Sequence, residues 1–278
     1  MILYLAPGGR LGNQLFQAAF IERIRKPRER VFCTKMSEAL RFARGLRGYV
    51  NTDSFLFIKA MEYLVEPLIK RFLVDTGLVS SYIETDTAQV VERRGLLPVT
   101  YLKGYFQQCD VLVPGAPLGF RLPLGRFGAA RRVLEAADGR TPIFVHVRRG
   151  DYLGYSEAYP MNPLLPAAYY HDALATVLRS VPEPHVFFLG DDPVWCAHEF
   201  PDLKHATISR GSEAEDLALM ALCAGGVISN SSFAWWGAYL CGKTAPVVAP
   251  RYWLGWRSKL WSPGRIRSNF ITYIDVRP

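Results

Sequence analysis

Two adjacent arginines follow an apolar run in the segment TPIFVHVRRGDY, residues 141–152. The run predicts a buried strand, and Arg148, Arg149 and Asp151 come directly after it. Guanidinium groups form bidentate hydrogen bonds to phosphate and stay charged at any working pH. A simple surface ion pair between Asp151 and an arginine is one interpretation, and a site for an anionic ligand is the other.

A second polar segment, VISNSSF, joins a predicted strand to a predicted helix and ends at Phe233. Taken alone, Asn230, Ser231 and Ser232 are ordinary residues for the start of a helix. The backbone N–H groups at that start lack helical partners, and the helix dipole favours an anion there. Beside two arginines on a neighbouring strand end, they predict a phosphate site.

A third strand-like segment, HVFFLGDD, ends in Asp191 and Asp192. These residues suit a turn followed by a helix cap. As a metal site they are weak, because two adjacent carboxylates come without further ligands at a suitable spacing. A carboxylate also accepts hydrogen bonds from the ring N–H and amino group of guanine, which lie side by side.

Among the histidines, His146 stands out, because strand alternation places it on the same side as Arg148. The other histidines show no ligand spacing and are expected to be structural or exposed; they are His171, His185, His198 and His205.

The N-terminus reads as a strand from Ile2 to Leu5, a glycine loop PGGRLGNQ, and a helix. The loop lacks the GxxxxGK[ST] pattern of a Walker loop. It also lacks a dinucleotide fingerprint, because Pro7 replaces the first glycine and no acidic residue ends a second strand. A glycine loop entering a helix still allows close approach to a diphosphate.

Strands and helices alternate regularly in the second half of the chain, which predicts a parallel, doubly wound sheet. Ligands of such sheets bind beyond the carboxyl ends of the strands, where the three polar segments fall. Residues 28–97 read as mixed and mostly helical, and 99–107 as a strand and turn. Prolines and glycines cluster between Pro114 and Gly125, which predicts a linker there.

The 278-residue chain carries a formal charge of +8, which favours anionic partners. The basic runs at 22–30 and 41–48 lack interleaved aromatic residues, so a solvated face is favoured over a nucleic-acid surface. Five scattered cysteines without a CxxC spacing favour a reducing compartment.

No secretory signal or apolar run of about 18 residues is present. The apolar and basic segment at 55–74 suits a buried amphipathic helix better than a helix on a membrane surface. The pair Trp235 and Trp236, at helical spacing, suits core packing better than stacking on a sugar.

The ordered motifs GGRLGNQLFQAAF, GYFQ, HVRRGDY, GDDPVWC, DLALMALC and ISNSSFAWWGAYL resemble those of the alpha-1,2-fucosyltransferases. They run from residue 8 to about 240. HVRRGDY together with NSSFAWWGA is specific, whereas GYFQ alone is weak. The N-terminal half beyond GNQ matches poorly, so the donor is better supported than the acceptor.

The resemblance implies an α/β fold of the GT-B-like class, with two Rossmann-like doubly wound domains facing a cleft. We expect an acceptor-side domain over 1–125 and a donor-binding domain over 126–278, with the last segment allowed to pack back on the first. The implied reaction is inverting transfer of L-fucose from GDP-fucose to the 2-hydroxyl of a galactoside. The resemblance also implies that the reaction needs no cofactor and no metal. The implied partners are GDP-fucose and a galactose-containing oligosaccharide.

The resemblance also implies residue roles. Arg148 holds the diphosphate, His146 lies near guanine or ribose, and Asp191 or Asp192 binds guanine. The remaining donor-binding residues are expected at the first glycine loop and at the helix start: Gly12, Asn13, Asn230, Ser231, Ser232 and Phe233.

Catalytic roles are expected for Arg148 and Arg149, which stabilise the charge on departing GDP. Asp151 either orients an arginine or acts as the general base. Orientation is favoured, because the neighbouring guanidinium groups compete for its carboxylate. Glu157 is a second candidate for the base.

Three alternatives remain. A transferase for another GDP-sugar, such as GDP-mannose, keeps the fold. A basic nucleic-acid-binding protein without catalysis predicts steeply salt-dependent binding but leaves the motif set unexplained. A dinucleotide oxidoreductase ranks below both. The favoured reading is a bacterial-type, cytoplasmic enzyme with at most peripheral membrane contact and no nucleic-acid partner.

Overall fold

A computed structural model of the protein describes residues 1–85, 89–109, 112, 118–126, 128–157 and 159–277. The chain forms two compact units, Met1–Pro123 with Gly264–Ile266 and Leu124–Pro263 with Arg267–Pro278. Residues 114–117 of the predicted linker lie outside the described residues. The acceptor and donor roles of the two domains stay predictions.

The first unit is built on one six-stranded sheet in the order β3-β2-β1-β6-β4-β5. All neighbours pair in parallel except β4 and β5, which are antiparallel. The strands are β1 (Ile2–Tyr4), β2 (Val31–Thr34), β3 (Tyr49–Thr52), β4 (Val79–Glu84), β5 (Val90–Arg93) and β6 (Leu97–Lys103).

Residues 28–97 are mixed, as expected, but they contain four strands that the pattern did not locate, β2, β3, β4 and β5. Three of these strands have only four residues, and β3 and β5 lie at the sheet edges with partly exposed side chains. Such short strands, two of them polar and exposed, give no sustained apolar alternation, which is why the pattern did not reveal them.

The helices of the first unit are α1 (Leu11–Ile24), α2 (Ser37–Phe42), α3 (Phe55–Ala60) and α4 (Glu66–Ile69). Helix α1 follows the glycine loop, where Gly8 and Gly9 adopt φ of +99° and +97°. Only glycine takes these angles without strain, so the two glycines set the turn from β1 into α1.

Helices α3 and α4 continue through π-helical turns at Met61–Val65 and Lys70–Val74, giving helical backbone from Phe55 to Val74. We call this stretch the apolar helix. The prediction that it is buried is wrong, since only Ile58 and Val74 are buried. Its apolar residues are distributed around the axis, so the sheet covers only some of them. No described helix is long and apolar enough to cross a membrane.

The second unit contains a six-stranded, fully parallel sheet in the order β12-β11-β10-β7-β8-β9, which confirms the predicted doubly wound sheet. The strands are β7 (Thr141–Val147), β8 (Pro184–Gly190), β9 (Ala206–Ile208), β10 (Gly225–Val227), β11 (Val247–Pro250) and β12 (Thr272–Ile274). The helices are α5 (Gly128–Glu135), α6 (Ala167–Leu178), α7 (Pro193–Glu199), α8 (Glu213–Leu222) and α9 (Ser232–Leu240).

Local sequence explains several of these boundaries. Helix α8 begins with a capping box, in which the side chains of Ser212 and Glu215 accept from each other's backbone N–H groups. Trp235 and Trp236 of α9 are fully buried, as core packing requires.

Strand β7 lies where the strand order of this sheet reverses. The chain continues to β8 and β9 on one side, and β10, β11 and β12 lie on the other. Connections leaving β7 and β10 therefore diverge at the carboxyl ends of the strands, which is where doubly wound sheets bind their ligands. Register pairs Val147 with Gly190 and Val145 with Val227, so the three polar segments end side by side.

Candidate functional site

Arg148 leaves the end of β7 with its guanidinium between two carboxylates. Its Nη2 lies 2.7 Å from Asp151 Oδ1, and its Nη1 lies 3.0 Å from Asp191 Oδ2. The guanidinium carbon lies 5.6 Å from the ring centre of Tyr152. The Asp191 side chain is a quarter exposed, whereas the Asp151 side chain is 62% exposed. The ion pair between Asp151 and Arg148 therefore faces water and is the weaker of the two.

Arg149 is held differently, although it is the next residue. Its Nε donates to Asp192 Oδ2 at 3.1 Å, and its guanidinium carbon lies 4.5 Å from the ring centre of Trp195. Asp192 is itself fixed, because it is the N-cap of α7 and accepts from the Trp195 N–H at 2.9 Å. Arg149 therefore ties the end of β7 to the start of α7.

Asp191 connects the ends of β7 and β8 through several contacts at once. Its Oδ1 accepts from the backbone N–H of Arg149 at 2.8 Å and of Gly150 at 3.2 Å, while Oδ2 pairs with Arg148. A Cβ on Gly150 would lie 2.9 Å from Asp191 Oδ2, so glycine permits this close approach. Asp191 positions Arg148; its predicted contact with guanine stays a prediction.

The charges of this cluster nearly balance. Two guanidinium groups meet the carboxylates of Asp151, Asp191 and Asp192, which leaves one formal negative charge. The charge of Arg148 is therefore compensated within the cluster itself. Asp151 is the more weakly held partner, because it is the more exposed and makes a single ion pair.

The end of β10 meets this cluster through a buried histidine and a tyrosine. His146 Nδ1 lies 2.9 Å from Ser229 Oγ, and the His146 and Phe233 ring centres are 5.6 Å apart. The Tyr152 hydroxyl donates to the Asn230 carbonyl at 3.1 Å. Burial lowers the pKa of His146 to about 4, so the imidazole is neutral near pH 7. Through its contact with Ser229, the His146 ring supports the loop that follows β10.

Helix α9 begins at this loop with an open N-terminus. Ser231 is the N-cap, and its side chain caps no backbone N–H of the described residues. The first helical bond joins the Trp235 N–H to the Ser231 carbonyl. The N–H groups of Ser232, Phe233 and Ala234 precede it, and this geometry suits an anion.

The two candidate bases differ in their surroundings. Asp151 lies in the short 3-10 helix Gly150–Gly154 and is paired with Arg148. Glu157 is exposed in a later turn, and no contact within the described chain joins it to the cluster. The base assignment stays a prediction for both.

In the first unit, the glycine loop and the GYFQ segment meet. Gln107 Nε2 donates to Asn13 Oδ1 at 2.6 Å. Glu84 Oε2 accepts from the backbone N–H groups of Tyr105 and Phe106 at 2.6 and 2.9 Å. Gly12, beside Asn13, is buried in the first turn of α1. Both predicted residues thus lie at a braced loop, and their contact with a donor stays a prediction.

Sequence reasoning missed the residues that position the predicted ones. Tyr152 lies inside the HVRRGDY motif and carries a visible sign, because an aromatic ring follows the arginines. The others are joined only by the folded chain: Glu84, Gln107, Trp195 and Ser229.

No group of three or more histidine, cysteine, aspartate or glutamate side chains in the described part of the chain is arranged to hold a metal ion. All five cysteines are free thiols.

Comparison with known proteins finds a family match over this site. Residues 132–256 match glycosyl transferase family 11. This family 11 segment contains the polar ends of β7, β8 and β10 and the start of α9, so the match covers the cluster described above. The predicted resemblance is confirmed for this segment.

Three curated glycosyltransferases are similar to this chain over part of its length. The chain is 32% identical over 120 residues to the O-antigen biosynthesis glycosyltransferase WbnK of Escherichia coli, covering 41% of this chain and 40% of that protein. It is 31% identical over 121 residues to an alpha-1,2-colitosyltransferase of Escherichia coli, with 40% of each covered. It is 30% identical over 114 residues to the galactoside 2-alpha-L-fucosyltransferase SEC1 of Bos taurus, covering 39% and 31%. The chain thus spans less than half the length of these relatives.

Among solved structures, the alpha-1,6-fucosyltransferase NodZ soaked with GDP-fucose is similar with a TM-score of 0.51 and 13% identity. The match covers 86% of this chain and 92% of NodZ. At this identity it shows the fold alone, and it confirms the GT-B-like α/β class with two Rossmann-like units.

Proposed function

We propose that the protein is an inverting galactoside alpha-1,2-fucosyltransferase that uses GDP-fucose. One observation supports the proposal: the segment that matches family 11 contains both Arg148, at the end of β7, and the open start of α9, after the neighbouring strand β10, where the strand order reverses. Relatives named as alpha-1,2-fucosyltransferases and an alpha-1,2-colitosyltransferase support the linkage.

In this proposal the diphosphate of the donor lies between Arg148 and the N–H groups at the start of α9. The phosphate takes the place of Asp151 at Arg148 Nη2, while Asp191 keeps Nη1 in place. Arg149 acts through position, because Asp192 and Trp195 hold it. Asp191 and Asp192 also stay candidates for guanine, with His146 supporting the loop beneath.

The reaction exchanges one bond at the anomeric carbon of fucose. The bond to the phosphate oxygen breaks, and its electron pair leaves with GDP. The 2-hydroxyl oxygen of the acceptor galactoside attacks from the opposite face, and its proton passes to a base or to water. Arg148 and the α9 donors stabilise the added charge on GDP, an effect worth about 10²–10³ in rate for one such group.

Asp151 is the first candidate for that base, because displacement from Arg148 frees its exposed carboxylate. Asp151→Asn and Glu157→Gln separate the two candidates. The variant that lacks the base loses kcat without weaker GDP binding; if neither variant loses kcat, the proton goes to water.

Gly12 and Asn13 of the first unit are proposed to contact the donor. Asn13→Ala is expected to raise KM for GDP-fucose, and Gln107→Ala to reproduce part of that loss, because Gln107 donates to Asn13 Oδ1.

A second donor is favoured by one observation, the similarity to an alpha-1,2-colitosyltransferase. Colitose lacks the 3-hydroxyl of fucose. A site that hydrogen-bonds this hydroxyl rejects the deoxy sugar strongly, whereas an apolar site accepts both. The ratio of kcat/KM for GDP-fucose and GDP-colitose separates the two donors, with GDP-mannose as the third competitor.

The deciding experiment measures GDP release from GDP-fucose in EDTA, with and without lactose, for the native chain and Arg148→Ala. Release that needs lactose and is lost in the variant supports a metal-independent transferase, and NMR of the product gives the linkage. GDP release that occurs only after Mg²⁺ is added would contradict the proposal that the enzyme is metal-independent. No release, together with no GDP binding by calorimetry, overturns the donor assignment.

The nucleic-acid alternative is tested in the same preparation. It predicts DNA or RNA binding that weakens steeply with salt and is unaffected by GDP. A transferase is expected to bind GDP with or without competitor nucleic acid.

A further inference from the structure

The apolar helix exposes an unusual number of large apolar side chains. Seven of them are half or more exposed: Phe55, Leu56, Phe57, Tyr63, Leu64, Leu68 and Phe72. The two most exposed, Leu56 and Tyr63, are 80% and 70% accessible. Single exposed apolar residues are common, but a contiguous set on one element marks an interaction surface.

The acidic residues of this helix face the rest of the unit and are neutralised there. Glu62 pairs with Lys35 at 2.6 Å and with Lys59 at 3.5 Å. Glu66 pairs with Lys103 and accepts from the Tyr101 hydroxyl. The outer surface therefore carries no uncompensated negative charge from the helix itself.

The basic residues lie among the exposed rings. The Lys59 ammonium lies 5.2 Å from the Tyr63 ring centre, and the Arg71 guanidinium lies 5.5 Å from that of Phe72. Lys70 and Arg71 are exposed, and neither forms an ion pair with a carboxylate in the described ranges. The surface is thus apolar, aromatic and positively charged.

An open apolar cavity of about 430 Å³ continues this surface toward the sheet. Its walls include Leu3, Phe32 and Val50 from the first three strands and Phe57 and Met61 from the helix. Phe57 belongs both to the exposed set and to the cavity wall. Hydrocarbon chains are flexible enough to enter such a space from the exposed face.

We propose that the apolar helix binds the surface of an anionic lipid bilayer. Apolar and aromatic side chains enter the boundary between headgroups and acyl chains, and Lys59, Lys70 and Arg71 meet the lipid phosphates. This combination is typical of helices that lie in the membrane interface. A folded protein partner fits less well, because the surface offers little polar rim and an open apolar cavity.

The first test is flotation of the full chain with vesicles of phosphatidylcholine and phosphatidylglycerol at 3:1, against pure phosphatidylcholine. Binding is expected to the anionic vesicles and to weaken with salt. Each basic residue near such a surface contributes about fivefold in affinity, so Lys70→Glu with Arg71→Glu should weaken binding by at least about 25-fold. The matched control is Arg93→Glu with Arg94→Glu, an exposed basic pair on the same unit.

The second test removes apolar contacts. Leu56→Ser with Leu64→Ser is expected to lower vesicle binding at least about tenfold, since each buried leucine adds to the transfer. Leu96→Ser is the control, because Leu96 is 87% exposed on the same unit but outside the helix. Circular dichroism and GDP binding verify that each variant is folded.

Equal binding to both vesicle types, or unchanged binding of the helix variants, overturns the proposal. So does the absence of vesicle binding together with a dimer in solution that Leu56→Ser with Leu64→Ser dissociates, because a second copy then covers the surface. Neither result affects the proposed transfer reaction, which is measured separately with soluble acceptor.

Discussion

At the residue scale, Arg148 and Arg149 are neighbours in sequence but differ in their contacts. Arg148 shares its guanidinium between a quarter-exposed carboxylate and a largely exposed one. Arg149 lies against Trp195 and pairs with the N-cap of α7. One contact of Arg148 can be exchanged for a ligand without disturbing the fold, whereas the contacts of Arg149 hold two elements together.

Substitution of the two arginines is therefore predicted to affect different quantities, kcat for Arg148 and stability for Arg149. Arg148→Lys loses the planar fork and is expected to lower kcat by about 10²-fold with stability nearly unchanged. Arg149→Lys is expected to reduce the free energy of unfolding by about 1–2 kcal/mol, through the lost stacking and ion pair, with a small effect on kcat. Steady-state kinetics and urea titration measure both. Equal losses of kcat would show that both arginines contact the donor.

A pH dependence of stability is predicted for His146. Its pKa of about 4 in the folded chain lies below its ordinary value, because burial disfavours the charged ring. The unfolded chain then binds the extra proton between about pH 6.5 and 4, so stability falls as pH drops through this window. The full loss, below pH 4, is about 3 kcal/mol.

The comparison that isolates this effect is the native chain against His146→Gln. Asp216 contributes with the opposite sign, because burial raises its pKa to about 6 and its stabilising protonated form is lost as pH rises. Asp216→Asn removes that contribution. Urea titrations from pH 4 to 7 should show the steeper acid loss in Asp216→Asn and the weaker one in His146→Gln.

The positions of residues such as Arg148, Asp191 and Ser231 relative to strand ends were predictable, because alternation of strands and helices fixes which segments end together. Their partners were not. Asp191 or Asp192 was expected at guanine, and nothing in the sequence indicated that Asp191 also accepts hydrogen bonds from two backbone N–H groups and pairs with Arg148. Side-chain pairing between β7 and β8 depends on register, which the sequence pattern does not specify.

At the element scale, the junction of β7 and β8 depends on Gly190. This residue has φ of +134°, and a Cβ there would lie 1.9 Å from the Val147 carbonyl oxygen. No side chain fits without moving the strand ends that carry Arg148 and Asp191.

Gly190→Ala is predicted to reduce the free energy of unfolding by at least about 2 kcal/mol and to weaken GDP binding, since strained backbone and a close contact coincide. Urea titration and calorimetry measure the two effects. Gly154→Ala is the control, because a Cβ there meets nothing within 4 Å, and it is expected to change stability by less than about 0.5 kcal/mol. Native-like stability of Gly190→Ala would contradict the described junction.

Elements with strong local signals were predictable, and those without were not. The long buried strands β7 and β8 and the capped helix α8 follow directly from apolar runs and cap residues. Short edge strands such as β3 carry few residues and mixed polarity, so their pairing is decided by the sheet. The apolar helix shows the opposite error, because its apolar sequence suggested burial that the fold does not provide.

At the scale of the whole molecule, ligand linkage provides a further prediction. The proposed donor site lies mainly in the second unit, which has its own core around β7, β8 and α6. GDP at about 100 times its Kd should raise the free energy of unfolding of this unit by about 2.7 kcal/mol. Thermal unfolding with and without GDP measures the shift, and Arg148→Ala should reduce it sharply. An equal shift in the variant would place GDP elsewhere.

The two-unit architecture was foreseen only through the resemblance, since composition and length alone allow one large domain or two. The parallel order of the second sheet followed from its regular alternation. The first sheet contains an antiparallel strand, β5, and short strands separated by irregular segments, so its order depended on tertiary contacts.

The ion pair between Arg148 and Asp151 has a consequence for selectivity. Asp151 follows Arg148 by three positions in the chain. Its carboxylate therefore competes with dissolved anions for the guanidinium at an effective concentration on the order of millimolar or above. Dilute singly charged anions do not outcompete a tethered carboxylate. In the proposed complex, a nucleoside diphosphate carries several charges and also accepts hydrogen bonds from the N–H groups at the start of α9. Within the proposed donor site, Asp151 thus acts as a built-in competitor for Arg148, which excludes buffer ions and favours multiply charged ligands.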